Sequence, residues 1–248
     1  MTKKLAGLFM VLWALQSSAD IREIMRMEDI LEHIDANTLV VLDLDNTVYE
    51  PEDNDGSDQD YYYLVKRFQE IDHLSPLDAH LKAGAIWNKM QYKIKTKPVE
   101  AIIPELIASL GAKVIALTAR DPEIKDITRK QLLDMGIDFR KKAPWTEDLT
   151  LNINGRDALY TDGILFQGEG NNKGDVLVEF LHTIGMKFDT ILFVDDRIKN
   201  TINVENALNL LPIKHIEFRY GATDEKVRLF NELPLDREYD GIGEYLSL

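Results

Sequence analysis

The feature that most constrains the fold is a set of short, continuously apolar runs, each followed directly by polar residues. Three such runs are TLVVLDL at 38–44, KVIAL at 113–117 and TILFV at 190–194. Strands that are buried on both faces have this composition, and they belong to parallel sheets covered by helices. Segments with helical spacing separate the runs, which indicates βαβ units. The predicted fold class is therefore α/β, a Rossmann-like parallel sheet flanked by helices.

The remaining segments continue this alternation. Asp162-Gly163, between two apolar triplets, predicts a hairpin over 158–166. A strand over 213–219 and one or two terminal helices complete the chain, whereas residues 137–157 show no clear pattern. The spacing of apolar and helix-ending residues predicts helices over 21–34, 61–96, 98–110, 121–135, 174–184 and 199–210.

The composition of the chain and its first residues indicate where the protein is located and which partners it can bind. The chain has 248 residues, a net charge of −14 and no cysteine. Such an acidic chain is a poor binder of nucleic acid, and the lack of cysteine excludes disulfides and thiolate metal sites. Lys3 and Lys4, the apolar run Leu5–Leu15 and Ala19 have the order of a secretory signal peptide, predicted as residues 1–19. We therefore expect an exported protein, periplasmic or secreted, with no stable membrane anchor after signal removal; the alternative is an N-terminal amphipathic or buried helix.

Polar residues follow the predicted strands at the edge where open α/β sheets bind their ligands. Asp43 and Asp45 end the first run, Thr118 ends the second and Asp195 ends the third. Lys173 lies at the start of a predicted helix. Phosphoryl transfer through an aspartyl-phosphate needs a carboxylate nucleophile, a second carboxyl group that moves the proton, and a divalent cation. The residue types at this edge match that requirement.

Four segments, in this order, resemble the four motifs of the haloacid dehalogenase (HAD) superfamily of phosphohydrolases. They are VVLDLDNTV at 40–48, VIALTAR at 114–120, Lys173 in GNNKGDVL, and ILFVDD at 191–196. The stretch 157–177 also resembles a poorly characterised, often exported bacterial subgroup of HAD-like proteins. The resemblance covers most of the chain and implies a HAD-like core domain formed by residues 20–60 and 111–248. It also implies a small helical cap insert over residues 61–110.

The resemblance further implies a role for each side chain. Asp43 would be the nucleophile that attacks phosphorus, and Asp45 would protonate the leaving oxygen and then activate water. Because these residues are two apart, strand alternation directs both side chains to one site. Asp43, the backbone carbonyl of Asp45, and Asp195 would hold Mg²⁺, which prefers oxygen ligands. Thr118 and Lys173 would bind the non-bridging phosphoryl oxygens.

These roles predict a Mg²⁺-dependent phosphomonoester hydrolase, a HAD-type acid phosphatase, that acts on a phosphorylated small molecule or a phosphoprotein. Aromatic residues of the insert suit aryl phosphates such as phosphotyrosine, although a small-metabolite phosphomonoester or a nucleotide fits almost as well. The other function classes are a phosphoacceptor module of the receiver type and a catalytically inactive HAD-like binding protein. The aromatic residues concerned are Tyr61, Tyr62, Tyr63, Trp87 and Tyr92.

From the sequence alone, several residues have two interpretations. Asp196 is either a second metal ligand or an anchor behind the ligands. Arg120 either contacts substrate or forms a structural ion pair. Thr118 alternatively caps the helix that follows it, Lys173 is alternatively a solvated surface lysine, and the tyrosines alternatively pack the insert.

Overall fold

The computed structural model describes residues 21–235. The signal peptide predicted over residues 1–19 lies outside this range, as does any terminal helix beyond residue 235. Export therefore stays a prediction. No helix within the described range has the length and apolar character needed to cross a membrane.

A mostly parallel sheet of eight strands forms the centre of the molecule. Its strand order is β1-β10-β9-β2-β5-β8-β7-β6, and the neighbours from β1 to β8 pair in parallel. β7 and β6 extend this sheet as antiparallel strands, while β3 and β4 form a separate two-stranded sheet. The predicted α/β class is confirmed. The strands are β1 (Arg22–Ile24), β2 (Thr38–Leu42), β3 (Tyr49–Pro51), β4 (Thr96–Pro98), β5 (Lys113–Thr118), β6 (Leu149–Ile153), β7 (Arg156–Thr161), β8 (Ile164–Phe166), β9 (Thr190–Asp195) and β10 (Lys214–Tyr220).

Helices cover both faces of the sheet. Leu39 and Val41 of β2 belong to one apolar cluster, and Val40 and Leu42 belong to another. Successive side chains of a strand point to opposite faces, so a strand between two layers must be apolar at every position. The helices are α1 (Asp58–Glu70), α2 (Pro76–Gln91), α3 (Ile103–Ser109), α4 (Lys125–Asp134), α5 (Lys173–Ile184), α6 (Ile198–Leu208) and α7 (Asp224–Asn231).

The helices α1 and α2 form a hairpin between β3 and β4. Ser57 and Ser75 cap their first turns, because each hydroxyl accepts a backbone N–H three residues ahead at 3.2 Å. The hairpin has its own apolar cluster, which includes Leu64 and Phe68. Helix α3, by contrast, packs against the cluster of the parallel sheet. This packing favours an insert that ends near β4, while the predicted boundary at residue 110 stays a prediction.

Three of the predicted helices, over 21–34, 98–110 and 61–96, differ from the structure. Residues 21–34 begin with β1, which pairs in parallel with β10, so helical structure begins only at Met27 and forms the 3₁₀ helix Met27–His33. The helix predicted from Pro98 begins at Ile103 instead. Pro98 lies in β4, and Pro104 occupies the first turn of α3.

The helix predicted over 61–96 is broken between α1 and α2, and the stretch 137–157 contains β6. The hairpin predicted at Asp162-Gly163 is confirmed, with φ angles of 53° and 79° at its two turn residues. The strands predicted at 113–117, 190–194 and 213–219 are confirmed as β5, β9 and β10.

Candidate functional site

Three carboxylates cluster where β2 and β9 end, at the centre of the sheet. Asp43 directly follows β2, Asp195 is the last residue of β9, and Asp196 follows it. One carboxylate oxygen of each lies within 4.8 Å of the others. The Asp43 N–H donates to the carbonyl oxygen of Val194 at 2.9 Å. The backbone hydrogen bonds between β2 and β9 therefore continue up to the acidic cluster. Parallel pairing thus positions all three side chains.

Lys173 is buried between two of these carboxylates. Its ammonium donates to Oδ2 of Asp195 at 2.6 Å and to Oδ1 of Asp43. Only 1% of Lys173 is exposed, which rules out the surface-lysine interpretation. The residue begins α5, whose N-cap Asn172 accepts the N–H of Asp175 at 2.9 Å.

Gly174 holds the start of α5 close to α6. A Cβ atom at this position would lie 2.2 Å from the carbonyl oxygen of Asn203. Any other residue would therefore push the first turn of α5 away from α6. Because Lys173 is the preceding residue, this close packing keeps its ammonium between the carboxylates.

Two further residues hold the carboxylates in place, and neither was among the predicted site residues. The Thr47 hydroxyl donates to Oδ2 of Asp43 and accepts the N–H of Asp196, both at 3.1 Å. The Asn200 amide donates to both oxygens of Asp195, at 3.0 and 3.1 Å. Both partners lie within five residues of an acid that was predicted, and this proximity is the signal that could have revealed them.

Asp45 forms a two-point ion pair with Arg120. Nε and Nη2 of Arg120 each donate to one oxygen of Asp45 at 2.8 Å. Arg120 therefore forms an ion pair, while its contact with substrate stays a prediction. Among the described residues, the acidic cluster includes no carboxylate oxygen of Asp45. The metal ligand predicted from Asp45 was its backbone carbonyl.

Arg120 connects the helical hairpin to the core. Its Nη2 donates to Gln91 of α2 at 2.9 Å, and its Nη1 donates to Gln131 of α4 at 2.8 Å. The guanidinium carbon also lies 5.0 Å from the ring centres of both Tyr49 and Trp87. These contacts fix the guanidinium, and with it the carboxylate of Asp45.

Replacing Arg120 with Met is expected to lower the free energy of unfolding by about 3 kcal/mol, because it leaves the Asp45 charge without its buried partner. The measurement is urea unfolding at neutral pH. Arg228→Met is the matched control, since the Arg228 side chain is 54% exposed and pairs only with exposed glutamates; its effect should stay within about 0.5 kcal/mol. Equal, small losses for both variants would contradict this account of Arg120.

Thr118 is the last residue of β5 and lies beside this ion pair. Its hydroxyl accepts the backbone N–H of Arg120 at 3.1 Å. The following helical turn is capped instead by Asp121, whose carboxylate accepts the N–H of Glu123 at 2.8 Å. Thr118 is therefore not the helix cap, and its role in binding phosphate stays a prediction.

Burial and mutual repulsion shift the ionisation of the cluster. Burial raises the pKa of Asp43 to about 7; the Lys173 ammonium opposes this shift, and the charges of Asp195 and Asp45 add to it. Burial, with the charges of Asp195 and Asp43, also raises the pKa of Asp196 well above its usual range. Burial lowers the pKa of Lys173, but Asp195 and Asp43 outweigh it, so the pKa is raised. Binding of a cation to these carboxylates is therefore expected to release protons.

A cleft of about 570 Å³ opens beside Asp45, between the helical hairpin and the carboxyl edge of the sheet. Tyr61, Tyr62 and Trp87 line it, together with residues of the loops that follow β5 and β8. Of the other insert aromatics, Tyr63 is buried, with its hydroxyl donating to the carbonyl oxygen of Leu235 at 2.8 Å. Tyr92 is exposed and does not line the cleft. Of these five aromatic residues of the insert, three therefore line the cleft and two lie outside it.

Comparison with solved structures finds hydrolases at low similarity. A haloacid dehalogenase-like hydrolase from Streptococcus pneumoniae is 15% identical, with a TM-score of 0.44 over 78% of this chain and 91% of the other. A hydrolase from Pseudomonas syringae is 14% identical, with a TM-score of 0.42 over 79% and 100%. A class C acid phosphatase from Bacillus anthracis with tungstate bound is 16% identical, with a TM-score of 0.34 over 86% and 84%. At these TM-scores the likeness carries no functional conclusion.

Comparison at the sequence level gives one family. No curated protein shows a significant match. A family model described as "Protein of unknown function (DUF2608)" matches residues 22–247. The match spans the whole described range except its first residue.

Proposed function

The chain belongs to the DUF2608 family, and from its acidic site we propose that it is a metal-dependent phosphohydrolase of the haloacid dehalogenase type. The observation that carries this proposal is the placement of Lys173 between Asp43 and Asp195. Three residues far apart in the chain meet in one buried contact, each at the end of a strand or helix. A carboxylate beside a buried ammonium is the arrangement that lets a phosphate dianion approach a nucleophile of like charge.

The cluster is suited to a hard divalent cation. Asp43, Asp195 and Asp196 offer carboxylate oxygens, the ligands that Mg²⁺ prefers, and these oxygens lie within 4.8 Å of one another. We propose that these three side chains hold Mg²⁺, together with the backbone carbonyl of Asp45. When bound, the ion would offset the negative charge of the carboxylates and of the phosphate.

The residues then divide the chemistry between them. An oxygen of Asp43 forms a bond to phosphorus as the bond from phosphorus to the leaving oxygen breaks, and Asp45 donates a proton to that oxygen. In the second step water attacks phosphorus, Asp45 takes its proton, and the bond to Asp43 breaks to release phosphate. Thr118 and Lys173 hold the non-bridging oxygens throughout both steps.

The leaving group is proposed to be aromatic. Both oxygens of Asp45 accept hydrogen bonds from Arg120, so Asp45 must open one of these bonds before it can donate a proton. A phenolate is a weak base, as the pKa of about 10 for tyrosine shows, and it leaves with less help than an alkoxide. Tyr61, Tyr62 and Trp87 in the cleft beside Asp45 supply rings against which an aryl group packs.

The aryl proposal predicts faster hydrolysis of phenyl phosphates than of alkyl phosphates. Tyr61→Ala and Tyr62→Ala should each lower kcat/KM for the aryl esters about 3- to 10-fold, the effect of losing one aromatic contact. Tyr92→Ala is the matched control, since Tyr92 is exposed outside the cleft. A panel without aryl preference, together with unchanged rates in the cleft variants, would remove the support for this proposal.

The general function is tested by steady phosphate release from p-nitrophenyl phosphate in the presence of Mg²⁺, which EDTA should suppress. Mg²⁺ should also raise the Tm of the native chain, because a ligand of the folded state stabilises it. Asp195→Asn should lose both effects. Asp189 is exposed and precedes β9, so Asp189→Asn should retain both the phosphate release and the rise in Tm.

The alternative functions give different results in the same assay. A phosphoacceptor would release one p-nitrophenolate per chain and retain the phosphoryl group, so no phosphate would appear. A binding protein would release neither product, although Mg²⁺ would still raise its Tm. Either result would contradict the proposed hydrolase.

A further inference from the structure

The cleft beside Asp45 is strongly acidic. Among the described residues that line it, Arg120 and His80 are the basic side chains, and no lysine is present. The carboxylates that line it are Asp45, Asp58, Asp121, Glu123 and Glu169. A site with this lining repels an anionic leaving group.

Three of these five carboxylates form no ion pair within residues 21–235. Arg120 pairs with Asp45 at 2.8 Å, and Arg197, from outside the lining, lies 3.6 Å from Asp58. Asp121, Glu123 and Glu169 are exposed, and none of them forms an ion pair with a described residue. These three side chains, called here the acidic rim, follow β5 and β8 and face the helical hairpin across the cleft.

The opposite wall of the cleft is aromatic and apolar. Tyr61 and Tyr62 meet edge to face, with ring centres 5.0 Å apart, and Tyr62 is 41% exposed. Leu77 and Leu81 add exposed aliphatic surface to the same wall. Ring faces attract cations as well as other rings. One wall thus suits an apolar group, and the rim suits a positive charge.

We propose that the preferred substrate is an aryl phosphate whose leaving group carries a positive charge. This inference rests on the proposed function, since it assigns the phosphate to the Lys173 end and the leaving group to the cleft. The phosphate then lies beside the buried ammonium of Lys173, and the cation lies against the acidic rim. Nucleotides and acidic phosphopeptides place a second anion against that rim and are expected to be poor substrates.

The test uses three para-alkylphenyl phosphates that differ in the charge of the alkyl group. O-Phosphotyramine carries an ammonium, 3-(4-phosphonooxyphenyl)propionate carries a carboxylate, and 4-ethylphenyl phosphate carries neither. At low salt, kcat/KM should be highest for the ammonium ester, intermediate for the neutral ester and lowest for the carboxylate ester, with about a 10-fold difference between the charged esters. The difference should largely vanish at 1 M salt, where the Debye length is about 3 Å.

Charge reversal on the rim makes the test specific. Glu123→Lys and Glu169→Lys should each reduce the preference for the cationic ester about 3-fold or more. Glu105→Lys is the matched control, because Glu105 is exposed on α3 and does not line the cleft. It changes the net charge equally and should leave the preference intact.

A binding arm separates this inference from the proposed function. Calorimetry compares tyramine with 3-(4-hydroxyphenyl)propionate, the two product phenols, and tighter binding of tyramine is expected. Hydrolysis of all three esters at equal rates would overturn the inference and leave the phosphohydrolase standing. If no ester is hydrolysed, the proposed function fails, and the calorimetric preference alone decides whether the cleft selects cations.

A second pair of substrates distinguishes the sources of such a cation. A phosphotyrosine peptide rich in lysine is compared with one rich in glutamate, alongside O-phosphotyramine. Preference for the basic peptide over O-phosphotyramine indicates a protein substrate, and the reverse indicates a small aryl amine. Preference for the acidic peptide would contradict the proposal.

Discussion

Replacing Asp43 with Asn should lower the rate of phosphate release from p-nitrophenyl phosphate by roughly 10⁴- to 10⁶-fold, the scale seen when a covalent nucleophile is removed. The amide oxygen cannot take up the phosphoryl group as a carboxylate does. The same change removes one carboxylate from the cluster with Asp195 and Asp196. The measurement is kcat at saturating Mg²⁺ and substrate.

The Asn variant should fold at least as well as the native chain. Since burial raises the pKa of Asp43 to about 7, ionising this group costs stability as the pH rises from about 4 through 7. Asparagine removes that cost, so urea unfolding near pH 7 should show no loss. A lower rate therefore cannot be ascribed to unfolding.

Two further variants separate the roles of Asp43. Asp43→Glu keeps a carboxylate in the cluster but moves the reacting oxygen, so it should stay inactive while Mg²⁺ still raises its Tm. Asp189→Asn, exposed at the other end of β9, should be fully active. Substantial phosphate release by Asp43→Asn would exclude Asp43 as the nucleophile.

Replacing Asp45 with Asn should slow turnover by about 10²- to 10⁴-fold, the usual contribution of a general acid and base. With an aryl ester the first step needs little proton donation, so Asp43 should still become phosphorylated. The second step needs a base to take the proton of water, which the amide cannot do. The expected result is a burst of phenolate followed by accumulation of a phosphorylated chain.

The change at Asp45 also disturbs Arg120, and a control must account for this. Gln131→Leu removes another Arg120 acceptor, at 2.8 Å, without touching Asp45. Its effect on turnover should be far smaller, and no phosphorylated chain should accumulate. Equal losses in the two variants, with no burst in Asp45→Asn, would assign the effect to Arg120 and the surrounding packing.

Much of the fold followed from the buried strands. A run such as 190–194 is apolar from Ile191 to Val194, which is typical of a strand covered on both faces, and it lies in β9. The weaker elements did not follow from periodicity. Ile24, Met27 and Ile30 suit a period of 3.0 as well as 3.6 over so short a segment. Within residues 137–157, Asn154-Gly155 is a dipeptide typical of hairpin turns, and it forms the turn between β6 and β7 with φ angles of 53° and 87°.

The backbone positions of the site were also predictable, because the carboxyl ends of neighbouring parallel strands meet at one edge. The structure brings Asp43, Asp195 and Lys173 into contact at that edge. The partner of Asp45 was not predictable. Arg120 lies 75 residues away in the chain, and the sequence alone left substrate contact and ion pairing equally open. Whether two side chains far apart in the sequence form an ion pair depends on the distance between them in the folded chain.

The most direct test of the central claim is the identity of the residue that carries the phosphoryl group. The Asp45→Asn variant is mixed with p-nitrophenyl phosphate and Mg²⁺, quenched in acid, digested, and analysed by mass spectrometry. One added phosphoryl group is expected on the peptide that contains Asp43, removable by hydroxylamine as an acyl phosphate. Phenolate release with that peptide unmodified, or with the phosphoryl group on another residue, would contradict it.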